Sequence, residues 1–146
     1  MAGRVHHSAI NARDFDASLR FYRDGLGLEV MMDQEFDGDW PALFGAKASR
    51  LHSVFLGDPS NPDAGIVELV SFGDMRDPEP AVDDPQVGFF LLSFMVGDVD
   101  KVLERLRELD FAGEPRRIEH PSPDGSSVVM ATVRDPDGVL VELIGR

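Results

Sequence analysis

A chain of 146 residues, 42% of them hydrophobic, can fill one good core and hardly two, so a single domain over residues 1–146 is expected. A formal charge of −13 repels phosphate backbones and anionic lipid, which removes nucleic acid and membrane from the expected partners. The absence of cysteine excludes disulfides, thiolate metal sites and cysteine nucleophiles, so any metal must be held through nitrogen and oxygen.

The first residues lack an apolar leader, and no stretch approaches the roughly 20 apolar residues that span a bilayer, so a cytoplasmic location is expected. Residues 5–12 suit a strand. Asp14 then stands at an N-cap position ahead of Phe15, Leu19, Tyr22 and Leu26 at helical spacing, and Gly25 and Gly27 close the helix. Residues 28–36 return to strand character, 37–41 read as an Asp/Gly/Pro loop, 50–56 as a strand, 58–63 as a turn and 65–70 as a buried strand. The order so far is β, α, β, β, β.

Residues 73–86 are rich in proline and acidic side chains and read as a solvated connector. A second module begins with a strand over 89–96. Asp98 is placed to cap a helix that buries Val99, Leu103 and Leu106, and strands follow over 114–119, 127–134 and 139–144, the last two joined by a turn at 135–138. The modules, 4–72 and 87–146, superpose residue by residue: Asp14-Phe15-Asp16 with Leu19 matches Asp98-Val99-Asp100 with Leu103, and Val67-Glu68-Leu69-Val70 matches Val141-Glu142-Leu143-Ile144. The fold class is therefore α+β, with duplicated βαβββ modules forming a curved mixed sheet around a cavity for a small molecule.

Phe21-Tyr22, Leu26-Gly27-Leu28, Asp135-Pro136-Asp137-Gly138 and Val141-Glu142-Leu143 within this duplicated frame resemble the vicinal oxygen chelate superfamily. That superfamily includes glyoxalase I, methylmalonyl-CoA epimerase, extradiol dioxygenases and fosfomycin- and bleomycin-resistance proteins. The resemblance implies metal ligands on the first and last strands of each module: His7, seven residues before Asp14, then Glu68 and Glu142. The fourth such position falls on Leu91, which cannot bind a metal. Homodimerisation is likewise implied by the resemblance.

Glu68 and Glu142 each interrupt an apolar string, and burying an unpartnered carboxylate costs several kcal/mol, so each calls for a cation or for donors. One divalent ion would serve both. A donor set of imidazole and carboxylate suits Mn, Fe, Ni, Co, Zn or Mg without choosing among them. His52 is the candidate substitute ligand: if the preceding turn centres near Asn61, antiparallel pairing puts it on the face of Glu68. His6 should point opposite to His7 by strand alternation, and His120 reads as an exposed loop residue. Trp40, Phe36, Phe44 and Met31 or Met32 suit a cavity lining or cover, an ordinary core or a dimer contact, and Arg116-Arg117 an anion contact or a surface pair.

Two functions follow. One is a divalent-metal enzyme of lyase, isomerase or epimerase type on a small oxygen-bearing organic substrate, with Glu68 or Glu142 moving the proton. The other is a metal-free protein that binds an antibiotic or a hydrophobic metabolite, which Leu91 favours.

Overall fold

A computed structural model describes residues 2–61, 63–80 and 84–146. Pro62, within the expected turn, and residues 81–83, within the expected connector, lie outside the described residues. The chain forms two compact units, Met1–Pro78 and Glu79–Arg146.

In unit 1, β1 (His7–Asn11) leads into α1 (Phe15–Leu19), which a π-helical turn (Arg20–Gly25) prolongs; β2 (Glu29–Asp37), α2 (Trp40–Phe44), β3 (Arg50–Gly57) and β4 (Ile66–Ser71) follow. Asp14 caps α1 as expected, its carboxylate accepting the Ala17 amide at 3.2 Å and so satisfying a donor that the helix start leaves unpaired. The buried stripe runs through Ser18, Phe21, Tyr22 and Gly25, while Phe15, Leu19 and Leu26 are half-buried at its margin. The wider π turn lets two consecutive aromatics, Phe21 and Tyr22, both turn inward with rings 4.9 Å apart.

The expected loop over 37–41 is shorter than its composition suggests. Asp39 accepts the Ala42 amide at 3.2 Å and starts α2, with Pro41 in the first turn, where a missing N–H leaves no gap. A Cβ at position 38 would lie 2.7 Å from the Trp40 ring, so only glycine there lets the indole fold back, where its Nε1–H donates to the Phe36 carbonyl at 3.2 Å. The Trp40 ring then stacks on Phe44, which meets Phe72 edge to face, both at 5.8 Å.

Unit 2 contains β5 (Leu92–Met95), α3 (Val99–Glu108), β6 (Arg116–Pro121), β7 (Ser127–Arg134) and β8 (Leu140–Gly145). Asp98 caps α3 through the Lys101 amide at 3.0 Å, and Val99, Val102, Leu103 and Leu106 bury one side of the helix. The turn between β7 and β8 is held by the Asp135 carboxylate, which accepts the amides of Asp137 at 2.9 Å and Val139 at 2.8 Å. Gly138 supplies the positive φ of 88° that the turn needs.

Each unit is thus a four-stranded mixed sheet, ordered β1-β4-β3-β2 and β5-β8-β7-β6. In both, the first strand runs parallel to the last and the remaining pairs are antiparallel. The helix covers one face of each sheet. In unit 1 that face carries Ile10, Val54, Leu56, Val67 and Leu69, and in unit 2 it carries Ala131, Val133, Val141 and Leu143, all buried. No helix among the described residues is long and apolar enough to cross a membrane.

Candidate functional site

A strand with one side against a helix core sends its other residues to the opposite face, and both glutamates of interest lie there. Glu68 pairs with Ala9 of β1 on one side and Phe55 of β3 on the other, between the buried Val67 and Leu69. Two residues along β3, the buried Ser53 donates its hydroxyl to Glu68 Oε2 at 2.8 Å. The other oxygen, Oε1, lies 3.8 Å from His7 Nε2. The Glu68 side chain keeps 17% of its surface and that of His7 36%, so a small ligand could reach both.

The His7 ring rests against Phe55 with centroids 5.4 Å apart. His6, expected to point away, packs on the same ring at 6.0 Å, and its Nδ1 is 2.8 Å from His7 Nδ1. Alternation does not govern it because β1 begins only at His7. The signal that keeps His6 in view is its place at the strand start, where the alternation rule has no hold.

His52 is the clear correction. It pairs with Ser71, whereas Glu68 pairs with Phe55, so His52 lies on the helix-covered face and away from Glu68. The hairpin pivots half a residue beyond Asn61, and a shift of one partner is enough to reverse a side chain. In that position His52 has structural partners: Nε2 is 2.6 Å from Asp33 Oδ1, and its ring stacks on Phe15 at 4.3 Å.

In unit 2, Glu142 pairs with Ser93 and Thr132, and Thr132 pairs with Arg116. Ser93 offers its hydroxyl to Glu142 Oε1 at 3.4 Å. Leu91, the counterpart of His7, falls just before β5. The adjacent arginines separate: Arg117 turns to the helix side, where it binds Asp100 at 2.8 and 3.0 Å, whereas Arg116 shares a face with Glu142, as do Ile118 and His120. Arg117 holds the Asp100 carboxyl below its usual range by direct hydrogen bonding.

Two donors bound to one divalent ion at about 2.1 Å stand roughly 3.0 to 3.4 Å apart in octahedral or tetrahedral geometry. The 3.8 Å between His7 Nε2 and Glu68 Oε1 is a few tenths wider, a gap that small side-chain rotations close. The pair therefore fits two adjacent positions of a coordination shell. Among the described residues, neither unit by itself gathers three His, Asp or Glu side chains close enough to hold an ion.

Comparison with known proteins agrees with this architecture. A lactoylglutathione lyase-like protein, terB, of Aspergillus terreus is 40% identical over 97% of this chain and 75% of its own length. An ethylmalonyl-CoA/methylmalonyl-CoA epimerase of Cereibacter sphaeroides is 30% identical over 98% of each chain. A solved glyoxalase family protein from Bacillus cereus shares the fold, with a TM-score of 0.70 at 18% identity over 99% of this chain and 95% of that one. The family model for Glyoxalase/Bleomycin resistance protein/Dioxygenase matches residues 4–143, and the chain belongs to that superfamily.

Proposed function

We propose that the protein is a divalent-metal-dependent enzyme of the lyase, isomerase or epimerase type that acts on a small oxygen-bearing organic substrate. The observation that carries this reading is the facing of His7 Nε2 and Glu68 Oε1 at 3.8 Å, with Glu68 Oε2 held back by Ser53 at 2.8 Å. His7, Glu68 and Glu142 are the proposed ligands, in one chain or across two copies. The relatives named as a lactoylglutathione lyase-like protein and an acyl-CoA epimerase support the reaction type.

When bound, a divalent cation supplies Lewis-acid polarisation of a substrate carbonyl, which acidifies the neighbouring C–H. The chain's own part is to move that proton. A glutamate carboxylate accepts it, the C–H electrons become the double bond of an enolate, and return of the proton to the other face or the adjacent carbon completes epimerisation or isomerisation. Glu142 suits this role better than Glu68, because its contact from Ser93 is long at 3.4 Å and leaves it freer to turn. Imidazole and carboxylate accept Mn, Fe, Ni, Co, Zn or Mg alike. Homodimeric assembly and a cytoplasmic location belong to the same proposal.

A second reading, a metal-free binding protein for an antibiotic or hydrophobic metabolite, draws on the apolar partners of Glu68's row, Ala9, Phe55 and Met32, and on Leu91 at the fourth ligand position. Metal analysis of the purified protein separates the two. The enzyme reading expects one divalent ion per chain and its loss in Glu142→Gln with the fold intact by circular dichroism. Failure of the wild type to take up any divalent ion across the series would leave only the binding protein.

A further inference from the structure

His7 has two ring nitrogens, and only Nε2 faces Glu68. What holds the ring that way is the neighbouring imidazole: His6 Nδ1 lies 2.8 Å from His7 Nδ1, and both rings rest on Phe55. At that distance one nitrogen must donate and the other accept, because two lone pairs would repel and a neutral imidazole carries one N–H. We infer that His6 is the positioning residue of His7: by engaging Nδ1 it reserves Nε2 for an ion beside Glu68 Oε1. The inference rests on the reading of His7 as a metal ligand.

An imidazole is suited to this task in a way that a carbonyl or carboxylate is not. With an ion on His7 Nε2, the His7 hydrogen sits on Nδ1 and His6 Nδ1 accepts it. With no ion, His7 Nε2–H points towards the Glu68 carboxylate, and His6 Nδ1–H donates to the lone pair then left on His7 Nδ1. A group that only accepts would lose its contact in the second state, and the ring would be free to rotate. Such partners of a metal-binding imidazole commonly contribute 10- to 100-fold in affinity.

The test measures Zn²⁺ affinity by competition with a chelator and reads the ring nitrogens by 15N chemical shifts. His6→Phe keeps a ring for Phe55 and removes both nitrogens; His6→Asn keeps a side chain that can donate or accept. The wild type should coordinate through His7 Nε2. His6→Phe should bind Zn²⁺ about tenfold more weakly, with His7 divided between its two nitrogens, and His6→Asn should recover most of the affinity and the single Nε2 coordination. Wild-type affinity together with undivided Nε2 coordination in His6→Phe would overturn the inference. His7→Phe distinguishes the two levels: if it binds Zn²⁺ as the wild type does, the site reading fails and takes this inference with it. If it abolishes binding while His6→Phe changes nothing, the inference alone fails.

Discussion

The two sheets share one strand order, yet the rows that cross their centres differ in character. In unit 1 the row reads Ala9, Glu68, Phe55 and Met32; in unit 2 it reads Ser93, Glu142, Thr132 and Arg116. A carboxylate among apolar neighbours needs close partners, and Glu68 has Ser53 at 2.8 Å with His7 beyond it. A carboxylate in a polar row needs less, and Glu142 has Ser93 only at 3.4 Å. The repeated backbone thus fixes where each glutamate stands, and its neighbours decide how closely its carboxylate is held.

The strongest way to break the comparison is to unfold one unit without the other. Phe21 and Leu106 are each fully buried, one under each sheet's helix. Phe21→Ala should destabilise by about 3–5 kcal/mol and Leu106→Ala by about 2–5 kcal/mol. At this chain length either change lowers the melting temperature by roughly 10 °C. If the chain is one domain, as its length suggests, calorimetry will show a single transition that both substitutions shift together. Two transitions, each moved by only one substitution, would make the units independent domains and confine the comparison to their shared strand order.

A narrower test compares the two serines. Ser53 is 1% exposed, and Ser53→Ala leaves Glu68 Oε2 without its donor in a mostly buried place, a loss of about 1–3 kcal/mol by denaturant unfolding. Ser93 is exposed and its contact is long, so Ser93→Ala should stay within about 0.5 kcal/mol. Equal losses would show that both carboxylates depend on their serine alike, and the contrast between the two rows would fail.

Much of this architecture is legible in the amino-acid sequence. The caps Asp14 and Asp98 declare themselves because a short acceptor just ahead of a periodic apolar stretch has one good use, and β7 occupies its expected range because Val129, Ala131 and Val133 alternate cleanly. Glu68 and Glu142 stand out as single charges in apolar strings. Pairing register is less readable. The face of His52 hangs on where an eight-residue connection between β3 and β4 pivots, and composition does not fix that to half a residue. Trp40 and Pro41 carry loop composition, and their helix becomes visible only with the Asp39 cap and the space that Gly38 leaves for the indole. His6 escapes because alternation stops where the strand does.

The smallest expected effect concerns how each helix is fastened to its sheet. In unit 2, Asp100 at the start of α3 receives two bonds from Arg117 of β6; in unit 1, Phe15 at the start of α1 stacks on His52 of β3. The Arg117 hydrogen bonds hold the Asp100 carboxyl below its ordinary value, so the folded pKa lies beneath the unfolded one. The stabilisation is then fully present above the unfolded carboxyl value near 3.9 and is lost as pH falls through the folded value. Because both partners are exposed, Asp100→Asn should lower the melting temperature only slightly at pH 7, and the difference from wild type should vanish in strong acid. Raising salt to about 1 M, where screening acts within roughly 3 Å, should erase it as well. Phe15→Ala removes ring contact rather than charge, so its destabilisation should persist in the same salt. An Asp100→Asn effect that survives high salt would mean that Arg117 fastens α3 through short-range hydrogen bonds rather than screened charge, and the contrast between an ionic and an aromatic fastening would dissolve.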